Sequence, residues 1–412
     1  MNIPDKTQLS RIYGESEKSS ARFQSVADHF AEIYHHSTAD FFTAPGRTEI
    51  IGNHTDHNGG RVIAASIDMD TIGAACPNNS SIIRITSEGY EKEIIVDLNN
   101  LSAVPKAQGT LSLVAGMMEA VKKFGFKVGG FDAYVTTSVI RAAGVSSSAS
   151  FEMFVCSVVN YFFNEGAMSY INYAKIGQYA ENVYWLKASG LMDQLACAVG
   201  GPILLDFSDR KNPSYEKISF SFNEYGYHLV IVNTGKGHAD LSKEYSEIPM
   251  EMKEAAHAAG AELLCETTLE EVLSHISDIK NDRSILRAIH FFKENERVEK
   301  AAKAVENKDG EALLGLLKES GTSSWELLQN CYPVQSYTEQ KIPVALALTD
   351  LFLEKIGKGI CRIHGGGFAG VIMCVVPEEE TWNYVSYISD FVGKENVYPM
   401  NIRSTGAVHI DR

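Results

Sequence analysis

Hydrophobic residues recur along the chain with two periods, one suited to helices and one to strands. Residues 20–36 place Phe23, Val26, Ala27, Phe30, Ile33 and Tyr34 on one side of an amphipathic helix. Two β-rich runs, Ser81–Thr86 and Glu93–Asp97, flank Gly89 as the arms of a hairpin would. Phe131, Ala133, Val135, Thr137 and Val139 alternate as in a half-buried strand, which leads into Arg141–Ser148 and an apolar helix ending near Phe163. Helical spacing returns over Tyr170–Trp185 and stops at Ser189-Gly190. Buried strands are expected at 203–207 and 228–233, and the polar stretch Asp209–Ser214, with Pro213, marks a domain boundary between them. Beyond it, helices are expected near 249–264, 284–306, 310–318 and 340–356, with strands near 359–363 and 371–376. There is no regular βαβ alternation. The predicted class is therefore α+β rather than a doubly wound sheet.

A length of 412 residues exceeds one ordinary core, so two domains are expected, 1–209 and 210–412. Hydrophobic content of 45% and charged content of 22% suit a soluble globular chain. A net charge of −15 disfavours nucleic acid and anionic membranes as partners, since both reward a basic face. It does not exclude a nucleotide, because local donors can overcome the global field. The seven cysteines are scattered without a CxxC pair, and the first residues lack a signal-peptide pattern. No apolar run reaches the roughly 20 residues that span a bilayer. A reduced, cytoplasmic, monomeric protein is the expectation.

Four clusters carry candidate chemistry. Ala44–Gly60 packs Arg47, Glu49, Asn53, His54, Asp56 and His57 between apolar runs, where buried polar groups need partners and a polyol supplies them. Gly144, Val145, Ser146, Ser147 and Ser148 open a helix, and read either as a cap or as a phosphate site at the positive helix end. They form no Walker A loop, because no Gly-Lys-Ser/Thr follows. Gly190–Ala196 sets Asp193 among small and apolar residues, where a carboxylate is costly without a cation. Glu181, twelve residues earlier, reads by itself as a solvated helix position. The last cluster, Arg362–Gly370, fits G-x-G-x-x-G but leads into a strand, which argues against dinucleotide binding.

Taken in this order, Tyr13-Gly14, Phe41–Gly60, Gly144–Ser150, Gly190–Gln194 and Arg362–Gly370 resemble the galactokinase branch of the GHMP small-molecule kinases. The resemblance implies two α+β domains with the site between them, the first holding the sugar signature and phosphate loop, the second the glycine motif. It implies ATP with Mg²⁺ on Gly144–Ser148, the metal held by Ser148 and Glu181. Asp193 would be the catalytic carboxylate beside the anomeric hydroxyl, with Arg47 against it. Asn53, His54, Asp56 and Tyr245 would meet the sugar. Where the family has Asn-x-x-Gly-Glu-His-x-Asp-Tyr, this chain has Glu49, Gly52, Asn53, His54, Thr55, Asp56 and His57, so an amide replaces the glutamate expected near the 6-position. Ala142 and Ala143 stand where glycines are usual, and Gly237, beside Lys236, replaces a basic residue before His238. The expected activity is galactose 1-phosphorylation. The alternatives are the same chemistry on a uronic acid or amino sugar, or a non-catalytic sugar and ATP sensor.

Overall fold

The structure is a computed structural model that describes residues 1–140, 144–187, 189–235, 242–368 and 370–411. Arg141, Ala142, Ala143, Lys236, Gly237, His238 and Ala369 lie outside the described residues.

The first sheet is built from β1 (Asp40–Ile51), β2 (Arg61–Pro77), β3 (Ile82–Ser87), β4 (Ile94–Asp97), β5 (Phe131–Thr137), β6 (Pro202–Asp206) and β7 (Ser214–Lys217). The second comprises β8 (Tyr227–Asn233), β9 (Ile360–Ile363), β10 (Val371–Pro377) and β11 (Val397–Met400), and β12 (Val408–Ile410) returns to the first. The first sheet runs β12-β1-β2-β5-β3-β4, with β6 branching from β2 and β7 paired to β6; the second runs β11-β8-β10-β9. β3 and β5 are parallel, whereas β1, β2 and β12 pair antiparallel. The polar stretch 209–214 falls between β6 and β7.

The helices are α1 (Lys6–Tyr13), α2 (Glu17–Tyr34), α3 (Gly109–Lys123), α4 (Ser147–Asn164), α5 (Tyr170–Tyr179), α6 (Met192–Val199), α7 (Ser242–Ala258), α8 (Leu269–Ser274), α9 (Asp282–Glu306), α10 (Gly310–Ser323), α11 (Lys341–Ile356) and α12 (Thr381–Val392). Met117, Val121, Met153, Phe154 and Val158 of α3 and α4 cover one face of the first sheet, against Phe42, Phe131, Ala133 and Val135. Phe23 and Phe30 of α2 cover the other, against Phe41, Ile72 and Tyr134. A further core joins the two sheets: Ile50, Ile63 and Ile67 pack with Ile231, Met373, Val375 and, from α9 and α10, Val298, Leu313 and Leu317. Burial of this much apolar surface fixes the two halves against each other. Among the described residues, no helix is long and apolar enough to cross a membrane.

The expected hairpin forms as β3 and β4. Three local expectations are corrected. Ile33 faces outward, 40% exposed, because the buried stripe of α2 runs through Phe23, Val26, Ala27, Phe30 and Tyr34. β5 is buried over Phe131–Val135 on both faces, not one, since α2 covers the side opposite α4. The helix expected at 249–264 spans Ser242–Ala258, and Leu264–Glu266 is a separate 3₁₀ turn. The sequence also gave no sign of β7.

Candidate active site

β1 delivers the first functional group. Its pairing with β2 shifts between Pro45 and Arg47, so Gly46 falls in an irregularity of the ladder. Gly46 sits where a Cβ would come within 2.8 Å of the Val145 carbonyl oxygen. The close approach lets the Arg47 N–H donate to that carbonyl at 3.1 Å, while Arg47 Nη1 donates to the Gly144 carbonyl. Two successive peptides of the serine loop thus turn their oxygens toward Arg47. Because peptides are planar and trans, the N–H groups of Val145 and Ser146 point away from it. Gly144 and Ser146 both adopt positive φ, 65° and 55°, and α4 begins at once, bringing the free N–H groups of its first turn to the same place.

Asp193 stands in the first turn of α6. Arg47 Nε and Nη2 each lie 2.7 Å from Asp193 Oδ1, and the Ser146 hydroxyl donates to Oδ2. Burial opposes the Asp193 charge, but Arg47, the Ser146 bond and Lys187 outweigh it and hold the carboxyl below its ordinary range. The carboxylate is nevertheless not sealed, its side chain being 32% exposed.

Glu181 does not sit on a solvated helix face. α5 passes into a π-helical turn, Ala180–Trp185, that buries it. Its Oε1 accepts from Ser148 Oγ at 3.0 Å and from Lys187 Nζ at 2.9 Å, and its Oε2 accepts from Ser189. Two adjacent oxygen donors, one charged, suit a hard cation that takes its remaining ligands from water and phosphate. Among the described residues, no group of three acidic, His or Cys side chains could hold a metal by itself.

The remaining signature residues gather where the two sheets meet. His54, at φ 60°, is buried, and its Nε2 lies 3.0 Å from the Gly366 carbonyl. Burial first, then His57, keeps the ring neutral, so Nε2–H donates and Nδ1 is an acceptor. That Nδ1 has no partner among the described residues. The Tyr245 ring lies 5.3 Å from His54 and 5.8 Å from His57. A side chain at Gly366 would strike it, at 2.7 Å. Asp56 faces Gly190, where a Cβ would come within 2.7 Å of Asp56 Oδ2. Asn53 is fully buried: its Nδ2 donates to Gly365 O at 2.7 Å and to both Glu49 oxygens, and its Oδ1 accepts from Asn330 Nδ2 at 2.9 Å. Every polar atom of that amide is thus committed to protein.

Sequence reasoning missed several supports. Arg362 Nη2 donates to Glu49 at 2.6 Å, and Glu294 Oε1 accepts the N–H groups of Gly52 and Asn53 at 3.1 and 3.3 Å. Lys187 and Ser189 hold Glu181. Only Arg362 lay within a recognised cluster, and there the glycines drew the attention.

Residues 28–77 match the galactokinase galactose-binding signature, and residues 112–201 match the GHMP kinases N terminal domain. The galactokinase of Lactiplantibacillus plantarum is 32% identical over 375 residues, covering 89% of this chain and 92% of that protein. The chain belongs to the galactokinase family. A second member, the galactokinase of Limosilactobacillus reuteri, is 30% identical over 372 residues, covering 88% of this chain and 92% of that protein. The structure of Lactococcus lactis galactokinase complexed with galactose matches at 25% identity with a TM-score of 0.80, over 93% of this chain and 99% of that one. Methanococcus jannaschii mevalonate kinase shares the GHMP kinase fold at 17% identity and a TM-score of 0.63, over 90% of this chain and 100% of that one. The family signature thus spans Arg47, Asn53, His54 and Asp56, and the domain match spans Gly144–Ser148, Glu181 and Asp193.

Proposed function

We propose that the chain transfers the γ-phosphoryl group of ATP to the anomeric hydroxyl of galactose. The observation that carries this reading is the junction of Arg47, Asp193 and Ser146, a partly open carboxylate clamped to the loop that faces a helix N-terminus. Phosphoryl transfer needs alignment and charge compensation more than covalent help. Asp193 would orient the sugar oxygen, and its low pKa suits an electrostatic and positioning part better than that of a strong base. Arg47 would offset charge on the transferring group. The turned N–H groups of Val145 and Ser146, with the first turn of α4, would hold the phosphates.

Ser148 and Glu181 would hold Mg²⁺, whose charge neutralises the phosphate oxygens. Lys187, whose Nζ lies 2.9 Å from Glu181 Oε1, would keep that carboxylate turned toward Ser148. His54 Nδ1, Asp56 and Tyr245 would receive the sugar hydroxyls. Asn53 would act at one remove, bracing the glycine motif, because protein groups already fill its bonds. The same reading divides the chain after residue 209 into two lobes that meet at the site, with β7 and β12 completing the first lobe's sheet. The same reading takes the chain to act as a monomer. Seven free thiols fit the reducing cytoplasm.

A panel of galactose, galacturonate, galactosamine and glucose with Mg-ATP, with product position assigned by phosphorus NMR, tests the reading. Galactose 1-phosphate as the fastest product is expected. A faster sugar oxidised at the 6-position would instead assign the neutral Asn53 region to that substituent, and no sugar-dependent ADP release would favour a sensor.

A further inference from the structure

His364 follows β9, ahead of the glycine turn, and is 1% exposed. It touches both halves of the site. Its N–H donates to Val371 O at 3.1 Å, which fixes its place on the second sheet. Its Nε2 accepts the Glu49 N–H at 3.2 Å, with the Thr48 hydroxyl at 2.9 Å. Thr48 and Glu49 directly follow Arg47 on β1. A ring nitrogen that accepts an N–H bears no proton, so the neutral ring carries its hydrogen on Nδ1. Burial, followed by Arg47 and Arg362, keeps the ring neutral.

The Nδ1–H is buried and has no acceptor among the described residues. Such a donor carries a desolvation cost that natural sites rarely leave unused. Its edge lies against the serine loop: a Cβ on Gly144 would fall 3.1 Å from His364 Nδ1. Gly144 is also the residue whose carbonyl Arg47 holds. One imidazole therefore reaches from the strand of Arg47 to the Gly144 end of the proposed phosphate loop.

We propose that His364 is a positioning residue for nucleotide binding: Nε2 sets the backbone beside Arg47, and Nδ1–H braces the Gly144 end of the phosphate loop when the loop carries a triphosphate. This rests on the reading of Gly144–Ser148 as the phosphate site. The two ring nitrogens can be separated, because an Asn amide reaches the Nδ1 position and a Gln amide reaches the Nε2 position. His364→Gln keeps a group at the Nε2 position and loses the Nδ1 donor. It should raise the KM for ATP about tenfold, more than it changes kcat, as loss of one hydrogen bond implies. His364→Asn restores the donor and should bring the KM for ATP back toward wild type while lowering kcat.

Direct binding of ATP and of adenosine, measured by calorimetry without sugar, separates the inference from the reading beneath it. Weaker ATP binding by His364→Gln with unaltered adenosine binding supports the proposal. Wild-type ATP affinity in His364→Gln, or equal losses for ATP and adenosine, overturns it and leaves the kinase reading intact. If wild-type protein binds no ATP, the phosphate site itself falls, and the proposal with it.

Discussion

Asp70 and Asp193 are both carboxylates clasped by arginine, yet they do opposite jobs. Asp70 is fully buried and sealed: Arg22, Arg403, Tyr13 and Thr43 all donate to it, at 2.6 to 2.8 Å. It ties helices α1 and α2, strands β1 and β2 and the C-terminal segment into one knot. Asp193 has one arginine and one serine, and a third of its side chain remains open. Both carboxyls are held below their ordinary range, against burial, chiefly by their arginines. A low pKa alone thus fails to separate a structural carboxylate from a functional one. The open face and the company of a helix N-terminus do separate them.

Breaking the open clasp should give the largest effect on rate. Arg47→Met should lower kcat/KM by roughly a thousandfold or more, the scale of losing a preorganised charge at the reacting centre. It should also move the acid limb of the pH profile. In the wild type Asp193 stays ionised to below the ordinary 3.8, so activity is lost only as pH falls through that depressed value. Without Arg47, burial pushes the carboxyl up, and the limb moves to higher pH.

Breaking the sealed clasp should act on stability. Asp70→Asn leaves Arg22 and Arg403 without their charge partner, and denaturant titration should show a loss of about 3–5 kcal/mol. Turnover per folded molecule should change far less. The sign of the pH dependence follows from the depressed pKa. Asp70 contributes stability that is present above its unfolded value near 3.8 and lost as pH falls through the folded one. The acid slope of unfolding should therefore flatten in Asp70→Asn. A smaller effect is expected at the metal position: Glu181→Gln should raise the Mg²⁺ concentration for half-maximal rate about tenfold, read from a Mg²⁺ titration at saturating ATP.

The sequence exposed the chemistry of Asp193 better than its surroundings. A lone Asp among Leu191, Met192 and Leu195 demands a cation, and the conjunction of motifs supplied Arg47 across 146 positions. The helices α9 and α11 were legible because their apolar spacing is long and regular. β7 was not, because Ser214–Lys217 is short, mostly exposed and paired to the edge of β6. Taken by itself Glu181 reads as a solvated helix position, because a π-helical turn shifts which side of the helix faces inward and no residue pattern announces that shift. Asn53 illustrates a different limit. The resemblance implied a sugar contact, but its bonds to Gly365 and Asn330 depend on segments far away in sequence.

The most direct test of the account is sugar-dependent ADP release by Asp193→Asn, on protein shown by calorimetry to bind ATP. The account predicts ATP affinity within a few-fold of wild type and turnover reduced by at least a thousandfold. Turnover near the wild-type rate in that variant would contradict it.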